Sequence, residues 1–133
     1  MHFFYTELLA GASKAEALRS AQRAVMQTSI REAIAYCEEA KHYADQPDLI
    51  RNITSDIAQL QYLAGDFNKA AFSFDQAAVL LDEAESLERR ELLRNAARSR
   101  ARQRETDRRS NYERRPYVDP YYWAPFVLVG DWR

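Results

Sequence analysis

The stretch AQLQYLAGDFNKAAFSFDQA, from Ala58 to Ala77, holds two apolar patterns of helical period joined at a glycine. Before Gly65 the apolar residues recur at spacings of three and four. After Phe67 the same spacing resumes at Ala70, Phe74 and Ala77. Glycine followed by aspartate reads as a helix end and a new helix start, so Gly65–Phe67 is a tight interhelical turn. The residues on either side are then two antiparallel helices. Their contact is lined by small side chains that let the backbones approach, with Phe74 filling the space between them.

Working outward, the preceding helix runs back from Ala64 to the break DQPD, where Asp48 is expected to cap it. Before that break, Ile30 to Ala44 forms another helix with Ala33, Cys37 and Ala40 on one face. Two capping boxes, Ser13 with Glu16 and Ser29 with Glu32, start the second and third helices, and Gly11 closes the short helix His2 to Ala10. Leu18, Ala21 and Val25 form the apolar stripe of the second helix. From Glu83 the composition turns charged, and the apolar content fades after Ala101. Leu87, Leu92, Leu93, Ala96 and Ala97 are expected to pack, with the second half of that helix solvated and helix continuing to about Arg109. Phe126 to Val129, after Pro125 and before Gly130, reads as a short strand or extended segment buried on both faces.

At 133 residues the prior is a single domain. No apolar stretch reaches bilayer length and the amino terminus lacks the pattern of a signal peptide. One cysteine, Cys37, cannot form an internal disulfide, which fits a reducing cytoplasm. Charge is unevenly distributed: residues 1–84 hold 7 basic and 12 acidic side chains, residues 85–133 hold 12 and 8. Such a dipole marks either a basic contact surface or two parts that attract one another.

Ala33, Cys37 and Ala40 repeat the spacing of Ala70, Phe74 and Ala77 at an offset of 37 residues. With the turn and the flanking alanines, Ala58 to Ala77 resembles a tetratricopeptide repeat, whose period is about 34 residues. The first copy departs from the pattern, with Thr28 at the turn glycine and Ile30 at the aromatic position. The fold class expected is therefore all-α or mainly α: TPR-like antiparallel hairpins forming an α-solenoid, a long capping helix and a short C-terminal strand. In segments, residues 1–28 contribute to the first helix pair, 29–84 form the hairpins, 85–113 the arginine-rich capping helix and 114–133 the aromatic terminal strip.

The terminal DPYYWAPFVLVGDW is similar to the closing motif of CHAT domains, the caspase-like proteases that commonly accompany tetratricopeptide repeats. FYTELLAGASKAEALRSAQRAVM, Phe4 to Met26, is similar to the helix-loop-helix that precedes the final strand in that family. The resemblance implies that the His and Cys dyad of CHAT enzymes would lie before the matched region, so this chain is expected to begin after it. Cys37, His2 and His42 lie outside the matching motifs. A nucleophilic thiol needs a neighbouring base and a lowered pKa, while Cys37 falls on an inward helical face, and His42 does not share its side.

The leading expectation is a noncatalytic interaction module with neither cofactor nor metal. Its groove would be lined by Asn52, Ser55, Gln59 and Tyr62, and its partner would be a protein or peptide, or a second copy. The groove helix carries no lysine to clamp a terminal carboxylate. A second reading is a remnant or separated subunit of a CHAT enzyme, with Phe126, Val127, Leu128 and Val129 adding to a partner's sheet and Tyr121, Tyr122 and Trp123 beside them. The aromatics equally suit covering the chain's own helices. A third is nucleic-acid binding through Arg94, Arg98 and Arg102, which share a face but are interrupted by Glu105, Asp107 and Glu113. Phosphate-cradling glycine loops and HExxH pairs are absent from the sequence.

Overall fold

A computed structural model describes residues 2–81, 86–106 and 109–118, and the side chains of these from Tyr5 onward. The described residues are mainly helical: α1 (His2–Leu9), α2 (Lys14–Gln27), α3 (Ile30–Tyr43), α4 (Pro47–Ala64), α5 (Phe67–Val79) and α6 (Leu87–Glu105), with a short 3-10 turn at Pro116–Val118. The terminal strip, with its expected strand and Tyr121, Tyr122, Trp123 and Phe126 to Val129, lies outside the described residues.

The chain divides into two compact units, one comprising the first 29 residues with the segment starting at Arg115, the other Ile30–Arg114. In the first unit α1 packs on α2, and α2 also meets the 3-10 turn. Gly11, at φ 93°, turns the chain between them as expected. Ser13 caps α2 by accepting from the Glu16 amide at 3.3 Å, while the Glu16 carboxylate accepts from the Ser13 amide at 3.0 Å. Two otherwise unsatisfied donors are thereby satisfied reciprocally. The hydrogen bonds from Ser13 hold the Glu16 carboxyl below the usual carboxylate range.

In the second unit α3 packs on α4, α4 on α5 and α5 on α6. Its core is the cluster Ala58, Ala70, Phe74, Ala77, Ala78, Leu92 and Ala96, with Tyr62 and Leu81 against it. The inward positions read from the sequence of α5 are thus the buried ones. Five alanines around a single phenylalanine allow close helix approach, and α6 adds Leu92 and Ala96 from its own inner face. Ser99 extends that face by another turn: it is fully buried, its hydroxyl donating to the Asn95 carbonyl at 2.8 Å.

Four expectations are corrected. Asp48 does not cap α4: Gln46 occupies the cap position without a side-chain hydrogen bond, Pro47 takes the first turn, and Asp48 pairs with Arg51 at 2.8 Å. Proline needs no partner for its missing N–H there, which moves the helix start two residues earlier. On α3, Ala33 is buried and Cys37 half-buried, but Ala40 is exposed, so cover is lost toward the helix's carboxyl end. On α6, Leu92 and Ala96 pack while Leu87, Leu93 and Ala97 are exposed. Finally, α6 stops at Glu105 rather than continuing to about Arg109, and Asn111–Arg114 is a turn. The Asn111 side chain accepts from the Glu113 amide at 3.1 Å, an Asx-type bond that favours a turn over helix.

The α4–α5 turn closes in a Schellman pattern, the Asp66 amide donating to Gln61 and the Gly65 amide to Tyr62, both at 3.0 Å. Gly65 sits at φ 84°, and a Cβ there would meet nothing within 4 Å. The penalty for a side chain at this position is therefore backbone conformation alone. Gly65→Ala is expected to lower stability by about 1 kcal/mol, read as a lower urea midpoint with unchanged slope.

Candidate interaction surface

Three sets of side chains carry the candidate chemistry of the second unit. The first is the α4 face read as a groove. Asn52 and Gln59 are exposed, Ser55 is half-buried, and Tyr62 leans on the core, its ring edge-on to Phe67 at a centroid distance of 5.0 Å. The spacing of three, four and three residues places all four on one stripe of α4. It grades from the exposed amide of Asn52 at one end to an anchored aromatic at the other.

The second set is the arginine series of α6. Arg94, Arg98 and Arg102 are exposed, as is Arg90 one turn earlier. None of these four enters an ion pair among the described residues. Other cations of this unit do meet carboxylates of neighbouring helices: Arg100 pairs with Asp75 of α5, and Arg51 of α4 with Glu88 of α6 at 3.1 Å. Part of the charge asymmetry in the sequence is therefore absorbed within the unit, and part is left facing water.

The third set surrounds Cys37. Its thiol is half-buried on α3, and burial pushes it above the ordinary thiol range, reinforced by the negative charges of Asp56 and Glu38. Partial burial raises the Asp56 carboxyl as well. These influences favour the neutral thiol, the reverse of what activates a nucleophile. His42 lies on the exposed side of α3, with its ring edge-on to Tyr43 at 5.2 Å. Among the described residues no group of three or more His, Cys, Asp or Glu is arranged to hold a metal ion. Nor is any described helix long and apolar enough to cross a membrane.

A fourth cluster was not foreseen. The turn after α6 returns to the end of the unit where α3 begins, α4 ends and α5 starts. Its backbone satisfies helix-terminal groups of two helices: the Ile30 and Arg31 amides donate to the Arg114 and Tyr112 carbonyls at 2.8 and 2.9 Å, and the Asn111 amide donates to the Ala64 carbonyl at 2.7 Å. The Arg114 guanidinium donates to the Leu63 carbonyl at 3.2 Å. Tyr112 is the centre of this clasp. Its hydroxyl donates to Asp66 at 2.5 Å, while Asp66 also accepts from the Lys69 amide and so caps α5. The Arg31 and Lys69 cations lie 5.8 and 5.5 Å from the Tyr112 ring centroid. Arg31 additionally pairs with Glu113 at 2.7 Å. The signal available in the sequence was Ser110 and Asn111, turn formers inside an otherwise helical charge run.

No curated protein and no solved structure matches the chain. A family model described as CHAT domain does match it, over residues 1–131. That match takes in both terminal motifs and every helix between them, and the chain belongs to the CHAT domain family.

Proposed function

We propose that this chain is a noncatalytic protein-interaction module, built from TPR-like helix hairpins stacked as an α-solenoid and carrying the C-terminal end of a CHAT-type domain. The observation that carries the reading is the graded stripe of α4, with Asn52 and Gln59 exposed and Tyr62 anchored on the core. Exposed amides bond an extended peptide backbone, and a fixed aromatic at one end gives a hydrophobic seat at small entropic cost. The raised thiol of Cys37 supports a binding role over a covalent one. The reading places the protein in the cytoplasm, consistent with a single unpaired cysteine.

The test is retention of protein from native lysate by immobilised chain, compared with the double variant Asn52→Arg, Gln59→Arg. Both positions are exposed, so helicity by circular dichroism should be unchanged while binding of the retained partner weakens at least about tenfold, a loss of about 1.4 kcal/mol. Equal retention by both proteins, or none by either, rejects the groove.

The extent of the family match, which runs through the terminal strip to residue 131, favours a second reading: a separated CHAT subunit whose Phe126–Val129 run completes a partner's sheet. Leu128→Pro removes a backbone donor from that run. Loss of a caspase-like partner in this variant, with retention intact in the Asn52/Gln59 variant, would favour the sheet over the groove.

A further inference from the structure

Unit Ile30–Arg114 is a row of helices in which α3 packs on α4, α4 on α5 and α5 on α6. The two helices that end the row differ in the charge they expose. Helix α6 holds seven arginines against three glutamates, and Arg90, Arg94, Arg98 and Arg102 recur at four-residue steps, all exposed. At 1.5 Å per residue they form a ridge about 18 Å long. Leu93, Ala97 and Ala101 lie exposed beside it, and Glu91 and Glu105 are its acidic interruptions. Helix α3 exposes Glu38 and Glu39 near its middle, with Glu32 a turn and a half earlier and Tyr43, 78% exposed, one turn later. Of the cations on α3, Arg31 is held by Glu113 and Lys41 is half-buried.

We infer that the arginine ridge of α6 docks on the acidic α3 face of a second copy of this chain, so that copies associate head to tail. Charge complementarity selects this occupant, because the chain itself carries the matching anionic face, on the helix at the opposite end of the row. The overall net charge of −1 leaves little general repulsion between copies. Arginine suits the contact, since its planar guanidinium bonds carboxylates in pairs and stacks on tyrosine rings such as Tyr43. Joining two different faces is a head-to-tail contact, which builds a ring where the rotation between copies closes and a filament where it does not. Exposed ion pairs are individually weak and screened by salt, so the assembly is concentration-dependent and dissolves as ionic strength rises.

Sedimentation velocity of the full chain across a concentration series, at about 0.01 M and about 1 M salt, reads this directly, because the Debye length falls from about 30 Å to about 3 Å between them. The expected result is a weight-average sedimentation coefficient that climbs with concentration in low salt and stays at the monomer value in high salt. The double variants Arg94→Glu, Arg98→Glu and Glu38→Arg, Glu39→Arg should each remain monomeric in low salt with unchanged helicity, since all four side chains are exposed. Mixed together they should associate again, because each then offers the charge the other has lost. A wild-type chain that is monomeric at every concentration in low salt overturns the inference, as does association that survives high salt, or variants that fail to complement on mixing. Retardation of an oligonucleotide, lost in the arginine variant, by a chain that does not self-associate would assign the ridge to nucleic acid instead and also overturn it.

Discussion

Phe74→Ala is expected to lower the stability of the Ile30–Arg114 unit by about 3–5 kcal/mol, the range for emptying a buried phenylalanine site. Phe74 is 3% exposed and is the largest side chain of a cluster otherwise made of alanines and Leu92. Alanines have no longer rotamer with which to fill the void, so the cavity term should be close to its maximum. Against the margin of about 5–15 kcal/mol typical of a folded domain, the loss would leave a substantial unfolded population on mild heating. Phe72 supplies the control. Two residues away on the same helix, it is 63% exposed, and Phe72→Ala should shift stability by no more than about 0.5 kcal/mol. Urea unfolding followed by helical ellipticity separates the two; equal effects would mean that α5 does not present this face to α4 and α6.

Asp66→Ala should be the next most damaging change, because one carboxylate serves both α5 and the returning turn. Losing the cap costs about 1 kcal/mol, and losing the charged acceptor of the Tyr112 hydroxyl costs about another 1 kcal/mol or more. About 2 kcal/mol in total is expected. Tyr112→Phe should cost about 1 kcal/mol, and the double variant should be less destabilised than the sum of the two single changes, since they share one hydrogen bond. The pH dependence has a definite sign. Burial first, then the hydrogen bond to Asp66 and its negative charge, raise the Tyr112 phenol above its ordinary value of about 10, with Arg31 opposing. The folded chain therefore holds this proton where the unfolded chain has released it. Its stabilising contribution is complete below about pH 10 and is lost as pH rises beyond that toward the folded value. Denaturation midpoints measured from neutral to strongly alkaline pH should fall more steeply for the wild type than for Tyr112→Phe. Parallel curves would show that the phenol titrates normally and that the clasp is not formed in solution.

The parts of the fold that could be read from the sequence are those where a residue has only one physically acceptable place. Gly65 at a positive φ, Ser13 with Glu16 three residues later, and Phe74 among alanines each leave little choice. Alanine is different, being equally acceptable buried or exposed, so the spacing shared by Ala33, Cys37 and Ala40 could not reveal that the third of them faces water. Leu87 and Leu93 show the converse: leucines on a helix with a narrow buried face, where Ala96 and Ser99 have the inner positions. At the candidate surface, helical spacing sufficed to group Asn52, Ser55, Gln59 and Tyr62, and Arg94, Arg98 and Arg102. It could not anticipate Tyr112 and Asp66, which are 46 residues apart and meet only because the chain doubles back after α6.

That doubling back sets an order of events. Each helix pair of the unit closes over a short connection, whereas the ion pair between Arg31 and Glu113 joins residues 82 apart in the chain. Loop-closure entropy makes such a long-range fastening the last to gain from folding and the first to release, so the hairpins can assemble and persist while the strap is still open. Within this unit the strap is thus the last contact to be made, and the first turn of α3, beyond its packing on α4, is fastened by a segment more than eighty residues downstream.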